Sequence, residues 1–198
     1  MANYLNALLI SHDGKGIPYG GTGEIREDGD ANYGFKNLKA YPELIAGVPE
    51  LQRDEPLRDL VTSLNRPASA FATIGCVSGS EADEQGHRVS GYIEFAFDAI
   101  ELVGEAQNYF KPFFYFDKNL NDMKFEDRVA FRWELMGATF RGTETAGWTV
   151  TVYVNTDSHA TAREADIAWA NGLDFLGMLL SNVPSAGTPI FNKEFKLA

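Results

Sequence analysis

The sequence predicts a two-layer α+β fold, in which a mainly antiparallel sheet of about five strands is covered on one face by a long C-terminal helix and a shorter helix. Several segments alternate apolar and polar residues with a period of two, which indicates strands. The loops between them are short, which indicates antiparallel neighbours. Two amphipathic segments supply the cover that the apolar face of the sheet needs.

The chain has 198 residues, a length typical of one domain with a buried core. We expect a single domain over residues 1–198, with the α+β core at residues 53–183. A glycine- and proline-rich N-terminal elaboration is expected over residues 1–52, and an irregular C-terminal tail over residues 184–198.

The N-terminal region is lightly patterned. Residues 4–10 are apolar enough for a short strand, and Asp28-Gly29 is a two-residue turn signal that predicts a hairpin. A helix is predicted near residues 54–65, because Asp54 is suited to the N-cap and Pro56 to the first turn. Its apolar residues fall on one face, namely Leu57, Leu60, Val61 and Leu64.

The central part of the chain predicts most of the sheet. Strands are expected at residues 70–78, 88–98, 129–141 and 148–155, with a β-bulge at Gly137, where the apolar phase of the third strand changes. The segment from Tyr109 to Phe116 is aromatic on both faces and contains a proline, which favours a strand at the edge of the sheet.

The long helix is predicted over residues 158–181. Its apolar residues recur at helical spacing, with Trp169 and Leu173 at the centre of the stripe. Thr161 and Glu164 have the spacing of a capping box.

Composition restricts the expected partners and location. The formal net charge is −11, and an acidic surface repels phosphate backbones and anionic lipid, so neither nucleic acid nor a membrane is an expected partner. Cys76 is the only cysteine, which excludes an internal disulfide, and no basic leader precedes the first apolar residues. We therefore expect a cytoplasmic protein.

Known chemical motifs are missing from the sequence. The glycines at residues 14–23 do not form a phosphate-binding loop, and the histidines lack metal-ligand spacing. Cys76 has no nearby basic residue to lower its pKa and is expected to be a buried structural thiol. The sequence thus predicts no cofactor, no metal and no catalytic residue.

One set of polar residues is a candidate ligand-binding site. If the apolar faces of the strands lie together, the opposite face collects two carboxylates, an arginine, a threonine and two tyrosines, namely Tyr92, Glu94, Arg132, Glu134, Thr151 and Tyr153. Such groups can bind a polar ligand or transfer protons. A solvated sheet face with cross-strand charge pairs produces the same pattern, so both interpretations stay open.

For function, the sequence favours a soluble acidic binding or interaction protein. We expect it to self-associate as a homodimer or to bind a basic protein partner through the aromatic edge from Tyr109 to Phe116. The alternative is a small hydrolase or isomerase that uses Glu94 or Glu134 as a base, with Arg132 holding an anionic group of the substrate.

Overall fold

The computed structural model describes residues 3–21, 24–25 and 31–191. In chain order its elements are β1 Leu5–Ile17, β2 Glu24–Ile25, β3 Ala31–Asn32, a 3₁₀ helix Pro42–Gly47, α1 Pro49–Arg53, α2 Glu55–Leu64, β4 Phe71–Asp83, β5 Gly86–Phe97, α3 Ile100–Val103, α4 Gln107–Asp122, β6 Val129–Phe140, β7 Thr145–Thr156 and α5 Ala162–Leu180. None of the helices in these ranges is long and apolar enough to span a membrane.

The main sheet has five strands in the order β1-β6-β7-β5-β4. The pairs β6–β7, β7–β5 and β5–β4 are antiparallel, as predicted, but β1 runs parallel to β6, so the sheet is mixed. β2 and β3 pair antiparallel, as the predicted hairpin requires, whereas its Asp28-Gly29 turn lies outside the described residues. Because β1 belongs to the main sheet, the expected boundary near residue 53 does not separate the N-terminal segment from the core.

One face of the sheet is covered by α2, α4 and α5, which confirms the two-layer prediction and adds a third helix to it. The predicted caps are present. The Asp54 carboxylate accepts the Leu57 N–H at 2.9 Å at the start of α2. At the start of α5, the Thr161 hydroxyl accepts the Glu164 N–H at 3.2 Å, and the Glu164 carboxylate accepts the Thr161 N–H at 3.1 Å.

The prediction of an edge strand from Tyr109 to Phe116 is wrong, because this segment lies within α4. Tyr109, Phe113 and Phe116 are buried, at a spacing that places them on one side of a helix. Their burial outweighs the loss of a backbone donor at Pro112 inside the helix. The aromatic strand edge through which a protein partner or a homodimer was expected to pair therefore does not exist.

The other face of the sheet is partly covered by the N-terminal segment and the tail. Their apolar side chains pack there against β6, with the ring centroid of Phe191 4.9 Å from that of Phe35 and 5.8 Å from that of Phe140. This cover explains the apolar phase change in β6. The register of β6 with β7 is continuous, so the predicted bulge at Gly137 is wrong, and the register shift lies in β1 between Ile10 and Gly14.

Candidate functional site

All six predicted ligand-binding residues lie on this second face of the sheet. Glu94 and Thr151 are buried there, the two tyrosines and Glu134 are half-buried, and Arg132 is exposed. Cross-strand pairing aligns them in two neighbouring rows, each with one residue from β6, one from β7 and one from β5. The first row is Arg132, Tyr153 and Tyr92, and the second row is Glu134, Thr151 and Glu94. We call these six residues the polar sheet face.

The first row is organised by stacking. The guanidinium carbon of Arg132 lies 4.2 Å from the centroid of the Tyr153 ring, and the ring centroids of Tyr153 and Tyr92 are 5.8 Å apart. A guanidinium over an aromatic face is attracted by the ring electrons. Because Arg132 is also exposed, its N–H donors remain accessible to a ligand.

The second row contains one neutralised carboxylate and one accessible one. Glu94 is buried and makes an ion pair with Lys15 of β1. Glu134 is only partly buried, and it lies close enough to the Tyr153 hydroxyl to raise the pKa of that group. Sequence reasoning missed Lys15, because it lies in a glycine-rich segment with no alternating pattern and far from Glu94 in the chain.

The environment of Tyr153 keeps its hydroxyl protonated. Burial raises the pKa of Tyr153, and the nearby Glu134 carboxylate acts in the same direction, while the charge of Arg132 opposes them. The hydroxyl is therefore a donor at neutral pH. Its contribution to stability is present below the ordinary tyrosine pKa of 10.0 and is lost as the pH rises through the raised pKa.

Comparison with known proteins adds no family assignment. No protein-family model, curated protein or solved structure matches the chain.

A cavity of about 80 Å³ adjoins the polar sheet face, and Tyr92 lines both. Its other walls come from the N-terminal segment and β4, including Tyr19, Lys36 and Cys76. The Tyr19 hydroxyl donates to the Ile74 carbonyl at 2.9 Å, which holds the N-terminal segment against β4. Apart from Tyr92, sequence reasoning found no residue of this cavity, because the contacts that form it are long-range and leave no local pattern.

The backbone groups of two histidines have a structural role. His87 and His159 exchange a pair of backbone hydrogen bonds of 2.9 Å, which joins the start of β5 to the segment before α5. Within residues 3–21, 24–25 and 31–191, no group of three or more His, Cys, Asp or Glu side chains is placed to hold a metal ion.

Cys76 is expected to react slowly with alkylating reagents. Cys76 is half-buried at the cavity wall rather than fully buried as expected. The loss of solvation there, with smaller contributions from the Glu50 and Asp54 carboxylates, raises the pKa of its thiol from 9.0 to about 12. Three pKa units mean roughly a thousandfold less thiolate, which is the reactive form. Mass spectrometry after timed treatment with iodoacetamide should show at least about a hundredfold slower labelling in the native chain than in the urea-unfolded chain. Equal rates would contradict this assignment.

Proposed function

We propose that the protein binds a small zwitterion of amino-acid or dipeptide size on the polar sheet face. In this proposal, Arg132 binds the carboxylate of the ligand and Glu134 binds its ammonium group. The observation that carries it is the position of Arg132, which is stacked on Tyr153 with accessible N–H donors and lies two residues from a partly exposed carboxylate on the same strand.

The chemistry of the two charged groups supports this ligand class. A guanidinium can donate two parallel hydrogen bonds to a carboxylate, which gives both affinity and orientation. Residues i and i+2 of a strand point to the same side and are roughly 6.7 Å apart at the backbone. The side chains of Arg132 and Glu134 can therefore reach the two ends of one small molecule.

The charge balance favours a zwitterion over a simple anion or cation. Glu94 is paired with Lys15, so these two charges cancel, and Arg132 and Glu134 supply one charge of each sign. The polar sheet face together with Lys15 therefore has no net charge in a chain of net charge −11. A neutral ligand with separated charges matches such a surface.

A thermal-shift screen with amino acids, dipeptides and their singly charged analogues tests the proposal. A ligand at about one hundred times its Kd stabilises the folded chain by about 2.7 kcal/mol, which raises the Tm of a domain of this size by several degrees. We expect zwitterions to shift the Tm and the singly charged analogues to shift it less. Failure of every zwitterion would contradict the proposal.

Variants locate the site. Arg132→Gln and Glu134→Gln should each abolish the shift without unfolding the chain, since both residues lie at least partly open to solvent. The matched control is Arg163→Gln, because Arg163 is exposed on α5 in the other layer. A ligand that stabilises the Arg132→Gln variant as much as the parent binds elsewhere.

The enzyme alternative uses the same residues. Glu134 would be its base rather than Glu94, because Glu94 is buried against Lys15. NMR spectra of each stabilising ligand, recorded over hours with the protein, separate the two classes. A binding protein leaves the ligand unchanged, whereas an enzyme converts it at a rate that Glu134→Gln strongly lowers.

A further inference from the structure

The two edges of the main sheet differ in how they are protected. The outer edge of β4 is closed by side chains of the N-terminal segment. The Lys39 ammonium donates to the carbonyls of Ser69 and Phe71 at 2.6 and 3.0 Å, and the Tyr19 hydroxyl donates to that of Ile74. Beyond these contacts, the strand ends in residues 79–83, which carry acidic side chains that discourage pairing.

The β1 edge is protected over its second half only. Within the described residues, β1 pairs with β6 and has no strand on its other side. Its second half contains a register shift between Ile10 and Gly14, followed by Lys15, and both features discourage pairing with another strand. Its first half, residues 5–10, keeps a continuous register with β6 and contains neither a charge nor a proline.

The unprotected half also exposes apolar side chains. Leu5, Leu9 and Ile10 are all about half exposed or more. The Asn6 side chain donates to Asp117 of α4 at 3.0 Å, so α4 borders the same edge. Phe114, one helical turn from Asp117, is exposed as well. A regular, uncharged strand edge with apolar side chains is a surface that pairs with another strand.

We propose that residues 5–9 pair antiparallel with the same residues of a second copy of this chain. The two sheets of five strands then become one sheet of ten strands around a two-fold axis. The pairing uses the outer backbone edge of β1, whereas the ligand site uses side chains of β6, although Ala7 and Leu9 lie beside Arg132 and Glu134 in the sheet. The dimer does not require the ligand, so the two proposals can fail separately.

Charge and sequence symmetry identify a second copy as the partner. The chain carries a net charge of −11, so two copies repel each other at most contact surfaces, but residues 5–10 bring no charge to the contact. The segment is also complementary to itself. With Ala7 on the axis, Leu5 lies opposite Leu9 of the partner subunit, and every facing side chain on that side of the sheet is apolar.

The expected association is weak and reversible. A pairing of about five residues with a few flanking side chains is small beside a standard interface of about 1,600 Å², which places the Kd in the micromolar range. Sedimentation velocity over a concentration series of the full chain should therefore show a monomer–dimer equilibrium that does not proceed to larger species.

Leu9→Lys should raise the Kd of the dimer by at least about tenfold, because it places a charge in the apolar pairing. Leu5→Lys should act in the same way, since Leu5 faces Leu9 of the partner subunit. The matched control is Ile167→Lys on α5, because Ile167 is 49% exposed and Leu9 is 48% exposed. It should leave the Kd unchanged, and circular dichroism should show all three variants folded.

Three results of the sedimentation experiments would overturn the proposal: a monomer at every concentration, a dimer that Leu9→Lys and Leu5→Lys do not weaken, or open-ended growth. Pairing with unrelated peptide strands alone would overturn it as well.

Discussion

Phe116→Ala is expected to lower the free energy of unfolding by about 4 kcal/mol, whereas Phe114→Ala changes it by less than about 0.5 kcal/mol. The two residues have the same side chain, lie on the same helix and are two positions apart, but Phe116 is 0% exposed and Phe114 is 62% exposed. Phe114→Ala is therefore a matched control for Phe116→Ala.

The large effect follows from the contacts of Phe116. Its ring centroid lies 4.9 Å from that of Phe131, 5.5 Å from that of Trp133 and 5.6 Å from that of Phe175. Phe116 thus joins α4 both to β6 and to α5. Truncation to alanine removes these contacts and leaves a cavity between three elements that cannot all close around it.

The pair also tests the conformation of the segment. In a strand, residues i and i+2 point to the same side, so the two substitutions would have similar effects. In a helix they point to nearly opposite sides, so the effects differ as predicted here. Urea unfolding followed by circular dichroism measures both, and equal losses of stability would contradict the assignment of α4.

The reason that α4 could not be predicted lies in its sequence. From Tyr109 to Phe116 nearly every residue is apolar or aromatic, so neither a period of two nor a period of 3.6 stands out. The alternating strands β5, β6 and β7, by contrast, have polar residues at every second position over much of their length. This alternation is sufficient to predict that the six residues of the polar sheet face share one side of the sheet.

Long-range pairing was the second feature that the sequence could not reveal. β1 pairs with β6, about 120 residues later in the chain, and no local signal marks a parallel partner at such a distance. The same reason accounts for Lys15, whose ion pair with Glu94 joins the first strand to the middle of the sheet. The local pattern of β5 made Glu94 a candidate site residue but could not show that its charge is neutralised.

Trp169→Ala and Leu173→Ala are each expected to lower the free energy of unfolding by about 3 kcal/mol. Both residues are buried on the sheet side of α5, which packs on β5, β7 and α2. The backbone of β5 approaches Trp169 so closely that a Cβ on Gly91 would lie 2.9 Å from the indole ring. Alanine at position 169 leaves a space that this sheet cannot fill.

Trp169 also has a polar role, which a milder substitution isolates. Its indole N–H donates to the Asp54 carboxylate at 2.8 Å, and the other oxygen of that carboxylate caps α2. Trp169→Phe keeps most of the buried ring but removes this donor, so we expect a loss of about 1 to 2 kcal/mol. Asp54→Ala should cost about as much, because it removes the cap and leaves the indole N–H without its acceptor.

A double-mutant cycle separates the two contributions. If the hydrogen bond joins α2 to α5, the double variant Asp54→Ala with Trp169→Phe is less destabilised than the sum of the single variants, by about 1 kcal/mol. Urea unfolding of the four proteins gives this coupling energy. Strict additivity would mean that the contact between Trp169 and Asp54 contributes nothing, and that the cap and the buried ring stabilise the two helices independently.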